Sequence, residues 1–257
     1  MTLSRLTRLA RAATHSSKTP AESASTSMVP GGDVPLGEDL TVGDVVLEYL
    51  VSLYGRENGG ETIERSERIL QQLAAGPDGF SLWRPVVLTT SELCALTAPG
   101  RCIYVSTGLI GALSDDAPLA LALAHEIAHH TLGHVASAPP TQWRDCLGAA
   151  SALSALAGPV VNRLLFSVEQ EFAADREALN LCHRAGFNLP TCLDLYRIFS
   201  DWEETGRDCG VTFPGDRIGS STALQRWMRA RYSGYPRLAA RREAAEVERI
   251  LIQTARI

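Results

Sequence analysis

The stretch LALAHEIAHHTLGH, Leu121 to His134, carries four histidines and one glutamate within ten residues of an otherwise apolar segment. Its conformation decides which way each imidazole faces. Just upstream, Ser114-Asp115-Asp116-Ala117-Pro118 supplies a helix start: Ser or Asp can cap, and Pro118 suits a first turn. On a helix each residue turns the chain by about 100°, so His125 and His129 lie about 40° apart on one face, one turn from each other. Two imidazoles so placed can hold one Zn²⁺, and Glu126 on the flank can reach a water there without itself being a ligand. That is the physics behind HExxH. His130 points about 100° from His129, and His134 about 180° from His125. While the helix stays regular neither joins the same ion, so both are read as helix-flank or packing residues.

A third ligand has to come from elsewhere. Metzincin spacing requires glycine at position 132 and histidine at 135, and this chain has Leu132 and Val135. Downstream, SVEQEFAADREALNLCHRAGFNLP places Glu171 and Asp175 four apart on one helix face. One can bind a metal while the other hydrogen-bonds the non-ligating nitrogen of a metal-bound histidine. Taken alone, EFAAD reads better as a solvated acidic helix with i,i+4 pairs to Arg176 and its neighbours.

Outward from this pair, the pattern upstream alternates. TVGDVVLEYLVSLYG is helical, with Val45, Val46, Tyr49, Leu50 and Leu53 on one face, and ETIERSERILQQLAAG is a second helix ended by Gly76. WRPVVLTT, ELCALTA and RCIYVSTG are short, β-rich and split by Pro99-Gly100, which predicts a small antiparallel sheet beside the HExxH helix. The expectation is a mainly helical α+β architecture in one domain spanning residues 33–257. Residues 1–32 form a basic, disordered tail.

Composition narrows the function. A net charge of −5 and the lack of a basic stripe argue against a nucleic-acid partner. Six cysteines without CxxC spacing read as reduced thiols, and a cysteine-bound zinc is not expected. The first 28 residues hold no acidic residue before Glu22, and Arg5, Arg8 and Arg11 recur opposite Leu3, Leu6 and Leu9. Composition leaves a mitochondrial-type presequence and a basic bacterial N-terminus level, and no secretory h-region appears. The expected location is therefore intracellular, cytoplasmic or mitochondrial. The uncharged run LGAASALSALAGPVVN, Leu147 to Asn162, contains Pro159 and is shorter than the roughly 20 residues that span a bilayer. A lid over a cleft and peripheral contact with a membrane remain its alternatives.

Six segments, in order, resemble the HtpX-like and CAAX-prenyl-protease family of gluzincin zinc metallopeptidases: CALTAPG (94–100), IYVSTGLI (103–110), HEIAH (125–129), EFAAD (171–175), AGFN (185–188) and YPRLAAR (235–241). The resemblance covers roughly residues 85 to 245. It implies one Zn²⁺ per chain on His125, His129 and Glu171, with Glu126 as general base and Asp175 supporting a ligand from behind. It also implies a peptide or unfolded-protein substrate lying extended along the strand at Ala95 and Leu96. Three positions depart from the family pattern. Cys94 stands in place of asparagine, Val168 in place of an arginine, and Tyr235 in place of the histidine of a His-Pro pair that stabilises the oxyanion. Tyr235 reads either as the donor there, because a phenol stays protonated at neutral pH, or as a core aromatic with its hydroxyl at the surface. The activity expected is a zinc metalloendopeptidase. The alternative is a zinc-stabilised, catalytically weak peptide-binding or chaperone-like module. Oligomeric state is not legible.

Overall fold

The computed structural model describes residues 41–74, 83–91, 93–138, 166–199 and 238–255. The N-terminal tail, the Leu147 to Asn162 run and Tyr235 lie outside the described residues. Helix α1 (Val42–Tyr54) starts on a capping box in which Thr41 and Asp44 satisfy each other's backbone N–H groups. Helix α2 (Glu61–Ala74) turns Ile69, Leu70 and Leu73 into the core.

Three strands follow: β1 (Arg84–Leu88), β2 (Ala95–Ala98) and β3 (Cys102–Ser106). The sheet order is β1-β3-β2, with β2 antiparallel and β1 parallel to β3. The sheet is therefore mixed, which corrects the expected antiparallel arrangement. The reason is topological. The β2–β3 hairpin reverses the chain at Gly100 and Arg101, both with positive φ, and β3 then inserts between β2 and β1, returning in the direction of β1. Local residue patterns specify the hairpin but not which neighbour the central strand takes on its other side. All five residues of β3 are buried, as befits that central place.

Helix α3 (Thr107–Ala112) is capped by the Ser106 hydroxyl, which accepts from Leu109 N–H at 3.0 Å and from Cys94 N–H at 3.2 Å. One side chain thus ties the ends of β2 and β3 to the turn before the long helix. Helix α4 (Asp116–Thr131) begins on the predicted signal: Asp115 accepts from Ala117 N–H at 2.8 Å, a cap worth about 1 kcal/mol. Arg65 of α2 holds the same junction, donating to Asp116 and to the carbonyls of Ile110, Leu113 and Asp115. Helix α4 is buried almost all round, which marks it as the central element.

Helix α5 (His134–Ser137) follows at once. Helices α6 (Val168–Arg184), α7 (Leu189–Cys192) and α8 (Leu238–Thr254) complete the described fold. The most extensive packing is α4 against α6, where Ala124, Ala128, Ala174 and Ala178 are fully buried. Small side chains let the two backbones approach, which brings HEIAH and EFAAD together. Helix α8 also packs on α6. No helix among the described residues is long and apolar enough to cross a membrane.

Candidate metal centre

His125 and His129 leave α4 on one face, and Glu171 and Asp175 leave α6 toward them. One donor atom from each of His125, His129 and Glu171 lies within 4.8 Å of the other two. The separations are 3.0 Å between the two Nε2 atoms, 3.3 Å from His125 Nε2 to Glu171 Oε2, and 3.7 Å from His129 Nε2 to Glu171 Oε1. Donors at 2.0–2.1 Å from a tetrahedral ion sit about 3.3–3.4 Å apart. The separations lie near that value and the donors are of the types zinc takes, so the set is compatible with Zn²⁺.

The surrounding charge fits as well. Glu126, Glu171 and Asp175 are buried, and the guanidinium among them is Arg241, delivered by α8. Its Nε and Nη2 donate to the two Asp175 oxygens at 2.7 and 2.6 Å, and Nη1 lies 3.2 Å from Glu171. Three carboxylates against one guanidinium leave a formal charge of −2, which a divalent cation neutralises.

Without the ion, protonation responds to the same field. Burial opposes charge on His125, but its hydrogen bonds to Asp175 and Glu171 outweigh it and raise the pKa to about 10. Burial by contrast works upward on Glu171, yet His125 and Arg241 hold it down to about 2. Burial likewise favours neutral Asp175, and Arg241 keeps it well below the usual carboxylate range. His129 goes the other way: burial and the nearby His125 charge push its pKa well down.

His125 Nδ1 lies 3.0 Å from Asp175 Oδ1, so the ring is held from behind while Nε2 faces the cluster. Tyr196 is buried and hydrogen-bonds the same carboxylate. His129 is held by Phe166, stacked on it at 3.8 Å between centroids, and by His134, whose Nδ1 is 3.1 Å from His129 Nδ1.

That contact corrects the expected placing of His134. Helix α4 ends at Thr131, and Gly133 adopts a left-handed conformation (φ 75°, ψ 10°), which folds His134 back toward the site. The regular helix assumed from the sequence stops three residues too early for a 180° projection to apply. His130 does face away. It packs on Trp83, its Nε2 is 2.6 Å from Thr97 Oγ1 of β2, and burial followed by the Arg101 charge lowers its pKa to about 3.

A family model described as Peptidase family M48 matches residues 61–246. The chain belongs to peptidase family M48. Among curated proteins no relative matches it. For an M48 chain, family membership implies metallopeptidase activity, and the His125–His129–Glu171 cluster is compatible with zinc.

The remaining expected site residues of this M48 chain fall as follows. Ala95 is half-buried at the head of β2, an outer strand of the sheet among the described residues, whereas Leu96 is fully buried. Its side chain is a core element, so a peptide laid there would meet main chain. Cys94 is buried too, its N–H held by Ser106. Sequence reasoning missed Tyr196, Phe166 and the contact of His134. Arg241 stood only as the end of a matching segment. Gly133 was the one local signal for His134, as a glycine that can end a helix.

Proposed function

We propose that this chain is a zinc-dependent endopeptidase in which His125, His129 and Glu171 hold the metal and Glu126 is the general base. The observation that carries the reading is the convergence of those three donors, with buried Glu126 next to His125 in the sequence of α4. A bound Zn²⁺ would supply Lewis acidity, bringing the pKa of water to about 7 and polarising the scissile carbonyl. Glu126 takes the proton of the attacking water and passes it to the leaving amine. Asp175 fixes the His125 ring, and Arg241 keeps Asp175 and Glu171 charged through the cycle.

The substrate is a peptide or unfolded segment. It lies along β2, held by main-chain hydrogen bonds near Ala95 and Leu96. A short antiparallel hairpin next to the metal helix supports this reading. Tyr235, the proposed oxyanion donor, rests on the sequence. Residues 33–257 act as one catalytic domain.

Cleavage of unfolded casein by purified protein tests the reading. Activity should vanish with a zinc chelator and return on adding one equivalent of Zn²⁺. Full cleavage by protein shown to be metal-free would end it.

A further inference from the structure

The two imidazoles of the cluster are supported from behind by different chemistry. His125 Nδ1 faces a carboxylate, Asp175, at 3.0 Å. His129 Nδ1 faces another imidazole nitrogen, His134 Nδ1, at 3.1 Å. The His129 side chain is fully buried, and its Nε2 points into the donor cluster. A neutral imidazole that offers its Nε2 lone pair to a cation must carry its proton on Nδ1. A buried N–H left without an acceptor costs about 1–3 kcal/mol.

We infer that His134 is the positioning residue for His129: its Nδ1 accepts the His129 Nδ1–H and so fixes the tautomer that presents Nε2 to the metal. The inference rests on the reading of His129 as a ligand. For the bond to form, His134 must be neutral with its own proton on Nε2. Phe166 completes the arrangement. Stacked on His129 at an interplanar angle of 21°, it blocks ring rotation about the axis that His134 would otherwise leave free. Gly133 makes the contact sterically accessible, because its positive φ turns the chain so that a residue nine beyond His125 comes back to the site. His134 therefore acts through His129 and touches neither metal nor substrate.

A packing role and an acceptor role separate on substitution. The Asn side-chain oxygen sits close to where His Nδ1 does and accepts a hydrogen bond, whereas Leu fills comparable space and cannot. Zinc affinity, read by competition with a chromogenic chelator, should fall about 10–100-fold in His134→Leu, the usual cost of losing such a partner. In His134→Asn it should stay within a few-fold of wild type. Zinc as tight in His134→Leu as in wild type would overturn the inference, as would an Asn variant as weak as the Leu one.

A measurement on the unmutated zinc protein stands behind the variants. With ¹⁵N-labelled histidine, a scalar coupling across the hydrogen bond should link His129 Nδ1 to His134 Nδ1, with the proton on His129. A His129 Nδ1 without a proton would refute the inference even if the Leu variant failed to fold. Failure of the parent reading looks different: wild type would then bind no zinc, or would bind it equally well after Glu171→Ala.

Discussion

Helix α4 carries histidines on two faces, and His125 on one titrates oppositely to His130 on the other. Toward α6, His125 meets Asp175 and Glu171 and its pKa rises to about 10 in the metal-free protein. Toward the sheet, His130 meets Thr97, Trp83 and the distant charge of Arg101, and its pKa falls to about 3. The His130 ring is buried, and His125 keeps 12% of its side chain exposed. Burial alone favours the neutral form, and only carboxylates at contact distance reverse it. The metal face thus carries net negative charge that suits a divalent cation, and the sheet face carries none. Burial of a histidine is by itself no sign of a ligand; the acids across the interface are.

The largest expected effect that tests this contrast is Glu171→Ala. With three protein ligands sharing a binding free energy of roughly 10–16 kcal/mol, losing one should weaken zinc on the order of a thousandfold. His130→Ala, on the opposite face, should leave zinc affinity unchanged. Equal losses in the two variants, measured by chelator competition, would erase the distinction between the faces.

Next in size is Arg241→Met. Removing the guanidinium leaves Glu171 and Asp175 buried with His125 as their remaining cation, at a cost of up to about 3–5 kcal/mol in the metal-free protein. Zinc should recover part of that loss, so the gap in Tm between metal-free and zinc-loaded protein should widen. A gap that narrows would mean that Arg241 supports the bound state alone.

His125 and His130 should also titrate with opposite sign in the metal-free protein. The raised pKa of His125 gives stability that is fully present below its unfolded value of 6.5 and is lost as pH rises through about 10. The lowered pKa of His130 gives the reverse: stability is lost as pH falls from 6.5 toward about 3, where the unfolded chain takes up a proton that the buried ring refuses. Denaturation curves across both windows should show both limbs, and His130→Leu should reduce the acid one without touching the alkaline one. His129 and His134, whose pKa values burial also lowers, keep the rest. Glu171, held down to about 2, adds a loss below about pH 4 that this variant keeps.

The smallest effect is Thr97→Val, which strips the hydroxyl from His130 Nε2 and should cost about 1–3 kcal/mol with zinc affinity intact. A shift in zinc affinity there would show that the sheet face communicates with the metal.

What the sequence made legible followed local rules. The cap at Asp115, the helix through HEIAH and the shared face of Glu171 and Asp175 all depend on residues within a turn of one another. The order of the sheet did not, because the neighbour that β3 takes beyond its hairpin is a matter of global packing. Arg241 is 66 residues from the Asp175 it clamps, and no spacing rule spans that distance. Tyr196 and Phe166 reach the site only through the packing of α6 and its flanks. His134 was misplaced by a local rule applied too far, past the helix stop at Gly133.

The central claim is that His125, His129 and Glu171 hold zinc for a hydrolysis in which Glu126 moves the proton. Zinc content and casein cleavage, measured side by side on wild type and Glu126→Gln, test it most directly. The variant should bind one zinc per chain with an unchanged melting temperature in the metal-free form, because every ligand remains, while cleavage falls by about 10²–10⁴-fold. Zinc retained with cleavage at the wild-type rate would contradict the account.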